Sequence, residues 1–368
     1  MNIYDVVIVG GGTAGLMLAR ELGKFKCKTL IVDKKDNLLN FSFNTLGSLI
    51  DLKYFDLSEQ VIAQKVDSLV FHSKHFKRTG KGQGYVLDKK KVHQELLNAL
   101  DKAFISIRTG VQIKSIEQNN NKQFTSVTDA EGNQYYGKIL VDASGTKGVI
   151  SKKVGLIEQK TNLATGVEYN VKYLGKPNEA HLFIGKTYEG GYGWIFPLKN
   201  GRAIIGFGTL DNKIVKELKP RLNKILDLPV IKKLVIKDND NVEGGSIPVT
   251  PVLKKFVINN LVCVGDSVSQ VNPIVGEGYK FIFESALMAS KAINKSLDKN
   301  DLNYLSEYES NWKKRFLKNY ERAKRSQEKI FKYTKKDYLV DFAILGLKLR
   351  SDKRILRTLS GEHYDVNN

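Results

Sequence analysis

Three short stretches carry residues whose types and spacing could do chemistry. Gly10, Gly12 and Gly15 fall on a G-x-G-x-x-G spacing, with Thr13 and Ala14 inside it. In such a loop the first glycine permits a tight turn and the second lets a pyrophosphate approach the backbone. The third lets a helix pack on a strand. The helix that follows offers free N–H groups and a partial positive charge to the phosphates. Asp33 lies 18 residues after Gly15, where a carboxylate can accept both hydroxyls of a ribose; Lys34 follows and joins the binding set. The second stretch is Asp142-Ala143-Ser144-Gly145. The third is Gly265-Asp266, continued by Pro273, Gly276, Glu277 and Gly278. An acid ending an apolar run is placed to bind a polyol hydroxyl. Pro273, Gly276 and Gly278 can then hold backbone close to a flat ring, ahead of a helix N-terminus that stabilises negative charge on it. The first stretch alone implies an adenine dinucleotide and does not say which.

The elements around these residues follow from periodicity. Val6–Val9, Leu30–Val32, Ile139–Asp142 and Leu261–Val264 read as buried parallel strands. Val92–Phe104 and Tyr279–Leu297 read as helices, as does Leu49–Lys65. Ser68–Lys77, Ser106–Arg108, Val111–Glu117 and a hairpin over Phe124–Tyr136 read as strands. Thr165–Tyr173, His181–Ile184, Gly193–Pro197, Arg202–Phe207, Lys232–Lys237 and Val242–Pro248 alternate as strands of a second sheet, with helix over Asn212–Leu226. From Asp301 the tail is helical and basic, with Tyr304, Tyr308, Trp312, Phe316 and Tyr320 recurring every four residues. That stripe fits docking on the core; the alternative is contact with an anionic membrane surface.

The chain of 368 residues can bury a large core. Its formal charge of +20 favours an anionic contact, or reflects a lysine bias spread over the whole chain. No nucleic-acid module is recognisable. Cys27 and Cys263 sit in apolar contexts and suggest reduced, buried thiols with no metal. A strand opens within five residues, so no leader peptide is expected. No apolar stretch reaches the roughly 18 residues needed to span a bilayer. A cytoplasmic protein follows, one that can sit peripherally on the inner face of a membrane.

The Gly265–Gly278 stretch resembles the Gly-Asp motif of FAD enzymes of the para-hydroxybenzoate hydroxylase and geranylgeranyl reductase superfamily, where the acid contacts the ribityl chain. Asp142–Gly145 resembles their third FAD segment. The three motifs occur in family order, which implies FAD rather than NAD. The resemblance assigns Gly10, Gly12, Thr13, Ala14, Gly15, Asp33, Lys34, Lys89, Ala143, Ser144, Gly145, Gly265, Asp266, Pro273, Gly276, Glu277 and Gly278 to the cofactor. Lys89 stands where a Y-x-L-D-R segment usually has Arg. Gly191-Tyr192-Gly193-Trp194-Ile195-Phe196-Pro197 looks like the Tyr-x-Trp-x-Phe-Pro signature of geranylgeranyl reductases, which lines a pocket for an isoprenoid chain. Tyr192, Trp194, Phe196, Pro197 and Gly47 are the substrate-pocket candidates.

The resemblance implies an α/β fold. A Rossmann-like FAD domain would be assembled from residues 1–55, 88–155 and 256–298. A mainly antiparallel substrate domain would span 56–87 and 156–255, with a helical basic tail at 299–368. The implied reaction is reduction of C=C bonds in an isoprenoid or other long apolar lipid by hydride transfer from flavin N5. Only one G-x-G-x-x-G opens a helix, so NAD(P)H must visit transiently or a reduced carrier protein must donate electrons. The proton donor is open; Asn44, Tyr192 and Glu277 are candidates, and water is an equal one. Two departures stand out. Archaeal members carry Pro-Cys-Gly where this chain has Asn44-Thr45-Leu46-Gly47. Flavin halogenases carry Trp-x-Trp-x-Ile-Pro, which Tyr192 and Phe196 do not match. A flavin monooxygenase acting on an aromatic or polycyclic compound is the runner-up. A lycopene-cyclase-like non-redox use of reduced flavin and a FAD-binding protein without turnover are further alternatives.

Overall fold

The computed structural model describes residues 3–157, 163–249 and 252–362. The outer limits of the expected domains, residues 1 and 368, lie outside them. Two sheets carry the architecture. The first has eight strands, running 257–258, 261–263, 134–142, 3–9, 29–32 and 105–108, with 113–118 and 124–129 attached at Gln134–Asp142. Its centre is parallel and covered on both faces, so Val6, Val7, Ile8, Leu30, Ile31 and Val141 are wholly buried.

Register in this sheet positions the site. Val9 pairs with Val32 on one side and with Asp142 on the other, and Cys263 also pairs with Asp142. All three motifs therefore leave the sheet at the same carboxyl edge, where open α/β sheets bind ligands. Helix α1 (Thr13–Lys24) starts directly after Gly12 and buries ten of its twelve residues. Helix α2 (Lys89–Asn98) is capped by Asp88, whose side chain accepts from Lys91 N.

The second sheet has nine strands, in the order 235–236, 163–173, 202–209, 191–198, 179–183, 62–72, 77–88 and 45–48, with 242–248 pairing Leu163–Tyr173. It is antiparallel except where Glu179–Phe183 pairs Ile62–His72. Helices α3 (Leu218–Leu226) and α4 (Pro229–Lys232) cover one face. The tail follows as α5 (Tyr279–Lys299), α6 (Ser306–Trp312), a π-helical turn at Lys313–Leu317, α7 (Lys318–Tyr333), α8 (Asp337–Leu347) and α9 (Asp352–Leu359).

Several expectations change. Leu49–Lys65 is not a helix. Asp56 takes a left-handed φ of 57°, which stops helical propagation, and the chain enters a long strand at Ile62 paired with Lys77–Asp88. Ser68–Lys77 spans the end of that strand and the turn after it. Thr45–Ser48, expected within the cofactor segment 1–55, pairs with Tyr85–Asp88 in the second sheet. Gln134–Tyr136 and Ile139–Asp142 are one continuous strand. The helix expected over Val92–Phe104 ends at Asn98. The strand expected over Lys232–Lys237 shrinks to Val235–Ile236, because Pro229 opens a helical turn just before it. The aromatic stripe does pack inward: Tyr308, Trp312, Phe316 and Tyr320 are at most 3% exposed against Phe256 and Phe281.

Candidate functional site

The Gly-rich turn is built for close approach. A side-chain carbon at Gly15 would lie 1.9 Å from the Gly10 carbonyl oxygen, and one at Gly10 would lie 2.3 Å from that of Ala143. At Gly12 a Cβ would meet nothing within 4 Å. Two glycines thus pack the turn, while the third faces open space at the start of α1. Asp33 accepts from Gly11 N through Oδ2 at 2.6 Å and from Lys35 N through Oδ1 at 2.8 Å. Lys34 is exposed; its neighbour Lys35 and Lys89 both reach over the Phe41 ring. Asp142 is fully buried and caps its own loop, accepting from Ser144, Ile150 and Ser151. A Cβ at Gly265 would sit 3.0 Å from that of Ala14, which brings the first and third motifs together.

A cavity of about 320 Å³ opens between the two sheets. Thr13, Lys89, Asp266 and the segment 273–279 line one side. Burial raises the Asp266 carboxyl to about 6, and the Lys89 ammonium opposes that rise. Burial and Lys35 together lower Lys89, against the pull of Asp266, Glu168 and Glu243. Thr13 Oγ1 bonds His93 Nε2 at 2.8 Å. Burial, Lys89 and Lys35 hold His93 neutral by lowering it to about 3. Sequence reading missed His93. Its position four residues after Lys89, on the same face of α2, was the available signal.

The opposite side of the cavity is the aromatic floor. Tyr192, Trp194 and Phe196 alternate onto one face of their strand and line the cavity, as does Gly47, where a Cβ would approach the Phe196 ring at 3.0 Å. Pro197 alternates to the other, buried face and does not line it. Three strands place Glu168, Gly206 and Trp194 in one cross-strand row. A side-chain carbon at Gly206 would lie 2.2 Å from the indole, so the indole lies flat over the glycine. Its Nε1 reaches the next strand and donates to Glu168 Oε2 at 3.2 Å. Glu168 is 4% exposed, and its Oε1 has no hydrogen-bond partner. Burial, reinforced by Glu243, raises this carboxyl to about 8, so it is protonated at neutral pH. Glu168 carries no local motif and was not among the sequence candidates.

The three proton-donor candidates fare differently. Asn44 is exposed and hydrogen-bonded to Glu243. Tyr192 commits its hydroxyl proton to the Val275 carbonyl at 2.5 Å. Glu277 lines the cavity and accepts from Ser48 Oγ at 2.9 Å; burial raises it, while Ser48 and Lys280 lower it. Tyr192 and Val275 also border two further cavities, of about 110 and 530 Å³.

The family model described as lycopene cyclase protein matches residues 5–349. The chain belongs to that family. Within it the similarity runs to reductases. A digeranylgeranylglycerophospholipid reductase of Methanococcus aeolicus is 27% identical over 332 residues, covering 86% of this chain and 83% of that protein. The same-named protein of Methanocaldococcus jannaschii is 26% identical, covering 85% and 83%. Among solved structures, a geranylgeranyl bacteriochlorophyll reductase-like protein of Thermoplasma acidophilum superposes with a TM-score of 0.85. It covers all of this chain and 98% of that one, at 23% identity. The Pseudomonas aeruginosa protein pqsL, a probable FAD-dependent monooxygenase, shares the fold at a TM-score of 0.74 and 16% identity, covering 94% of this chain and 100% of that one. This member of the lycopene cyclase family is an FAD-dependent oxidoreductase, geranylgeranyl-reductase-like in sequence and fold. Among the described residues no helix is long and apolar enough to cross a membrane.

Proposed function

We propose that the chain reduces carbon–carbon double bonds of an isoprenoid or similarly long apolar lipid, using tightly bound FAD. One observation carries this reading. A single cavity joins the carboxyl edge of the parallel sheet to an aromatic floor, and apolar cavities continue past Tyr192. Gly12 and the start of α1 would take the pyrophosphate, Asp33 the adenosine ribose, and Asp266, with Thr13 and Lys89 nearby, the ribityl side. The orphaned Glu168 oxygen and the open face of Gly12 fit a ligand in this cavity. When bound there, reduced flavin would supply the hydride for one alkene carbon.

The protein supplies the rest. Tyr192, Trp194 and Phe196 exclude water and hold the alkene flat. Glu168 carries the matching proton. Its O–H proton goes to the second alkene carbon, and the carboxylate left behind keeps its bond from Trp194 Nε1. Water reloads it between turnovers. Net, one C=C gains one hydride and one proton. The electrons would have to come from NAD(P)H visiting transiently or from a reduced carrier protein.

The test is anaerobic. Chemically reduced enzyme is mixed with a geranylgeranyl lipid, and flavin reoxidation is followed beside mass analysis of the lipid. Reoxidation with a gain of two hydrogens per bond is expected. No anaerobic reoxidation by the lipid, followed by reoxidation and a hydroxylated product when oxygen and an aromatic compound are admitted, would replace this reading with the monooxygenase.

A further inference from the structure

Helix α8 is apolar on both faces. Val340 and Ile344 are buried against Phe71 and Leu182. On the outer face Tyr338 is 55% exposed and Phe342 70%, and Leu349 just beyond is 91% exposed. A helix apolar all round is ordinarily covered on all sides. Here the outward face is bordered by exposed Lys332, Lys335, Lys336, Lys353 and Arg354. The acids of this region are already engaged. Asp337 accepts from Lys186 N and pairs with Lys74, Asp341 pairs with His75, and Asp352 pairs with Arg78. The patch therefore presents aromatic and aliphatic groups inside a cationic border.

The 530 Å³ cavity lies directly beneath. Its lining runs from exposed Tyr333, Ala343 and Gly346, beside this patch, down to Tyr192 and Val275. Those last two residues also border the 320 Å³ cavity that holds Asp266 and Glu168. An apolar path thus begins at the patch and ends at the candidate site.

We propose that α8 and its basic border dock the protein on an anionic lipid bilayer, with Tyr338, Phe342 and Leu349 entering the headgroup boundary and the large cavity opening toward the acyl layer. Charge and shape agree on this partner. Apolar insertion with Lys and Arg at the headgroup level is the pattern of interfacial helices, and basic residues near an anionic surface strengthen it. The border is cationic and its neighbouring acids are already paired, which favours an anionic lipid surface over an apolar protein face. The aromatic stripe at Tyr308–Tyr320 is spent on the core, so the membrane face moves to α8. Docking does not depend on which reaction the site performs.

The experiment is sedimentation of the full-length flavin-loaded protein with vesicles. Phosphatidylglycerol–phosphatidylcholine vesicles are compared with pure phosphatidylcholine at low salt. Preferential binding to the anionic vesicles is expected. The Tyr338→Ser/Phe342→Ser double variant should bind at least tenfold more weakly, and Lys335→Glu/Lys336→Glu should lose the preference for anionic lipid. None of these four residues lines the three cavities described, so flavin content should be unchanged in both. Phe342→Trp should show a blue-shifted emission on vesicles. Equal binding to both vesicle types, or unaltered binding by the double variants, would overturn the proposal. Binding is read without turnover, so a failed reductase reading would leave it standing.

Discussion

Trp194 Nε1 donates to Glu168 Oε2 at 3.2 Å across Gly206, a residue with no side chain to intervene. The bond joins the strongest sequence motif of the second sheet to a carboxyl that no motif announces. If Glu168 is the proton source, Glu168→Gln should keep its flavin and lower turnover about 10²–10⁴-fold, the usual contribution of a general acid. In the wild type, burial holds the carboxyl protonated up to about pH 8, so kcat should fall as pH rises through that value. The variant's residual rate should lack that limb, and Glu168→Asp should restore part of the activity. A purely structural role would leave the pH profile in place.

The two glycines of the phosphate loop should separate folding from binding. Gly12→Val adds carbon where nothing lies within 4 Å. The apoprotein should melt like wild type and emerge colourless. Gly15→Ala puts carbon 1.9 Å from the Gly10 carbonyl oxygen, so it should lower the melting temperature even without flavin. Thermal melts and flavin absorbance on the same preparations distinguish the two. A yellow Gly12→Val protein would move the pyrophosphate elsewhere.

Gly206→Ala places a methyl group 2.2 Å from the indole of Trp194. The ring must lift into the cavity, and overpacking should cost about 1–3 kcal/mol in urea unfolding. The lift should also break the bond to Glu168. Activity on bulky substrates should fall more than activity on slender ones, measured as kcat/KM for lipids of different branching.

Acid should loosen the second sheet through a buried histidine and a half-buried one. His72 Nε2 and His181 Nδ1 are 3.1 Å apart, and His181 Nε2 meets the Tyr173 hydroxyl at 3.0 Å. Burial lowers His72 to about 4 and His181 to about 3. Both folded values lie below the unfolded 6.5, so their stabilising effect is complete above 6.5 and is lost as pH falls toward the folded values. Between pH 6.5 and 5 a single such histidine removes up to about 2 kcal/mol. Urea midpoints at pH 7.5 and 5 should differ more for wild type than for His181→Gln.

The cofactor side was readable because its information is local. Glycine spacing, a following helix and strand-terminal acids all lie within short windows, and parallel register then brings them to one edge. Glu168 could not be read this way. Its partner sits 26 residues along the chain, and their meeting depends on a cross-strand row with Gly206 between them. Leu49–Lys65 departs from helix for a different reason. The left-handed φ at Asp56 breaks helical propagation, and only its last residues, from Ile62, join a strand, in a hairpin with Lys77–Asp88. The four-residue aromatic spacing of the tail gave the helices, but no periodicity says which surface a stripe faces. Only packing assigns Trp312 to the core and Phe342 to the outside.

The outward face of α8 changes how rate should be counted. A protein seated on a bilayer meets its substrate in two dimensions. What governs turnover there is the fraction of lipid molecules that are substrate, not their molarity in the tube. Diluting the substrate with inert lipid at fixed total substrate would then slow the reaction, while diluting the whole suspension with buffer would hardly change it once the protein is bound.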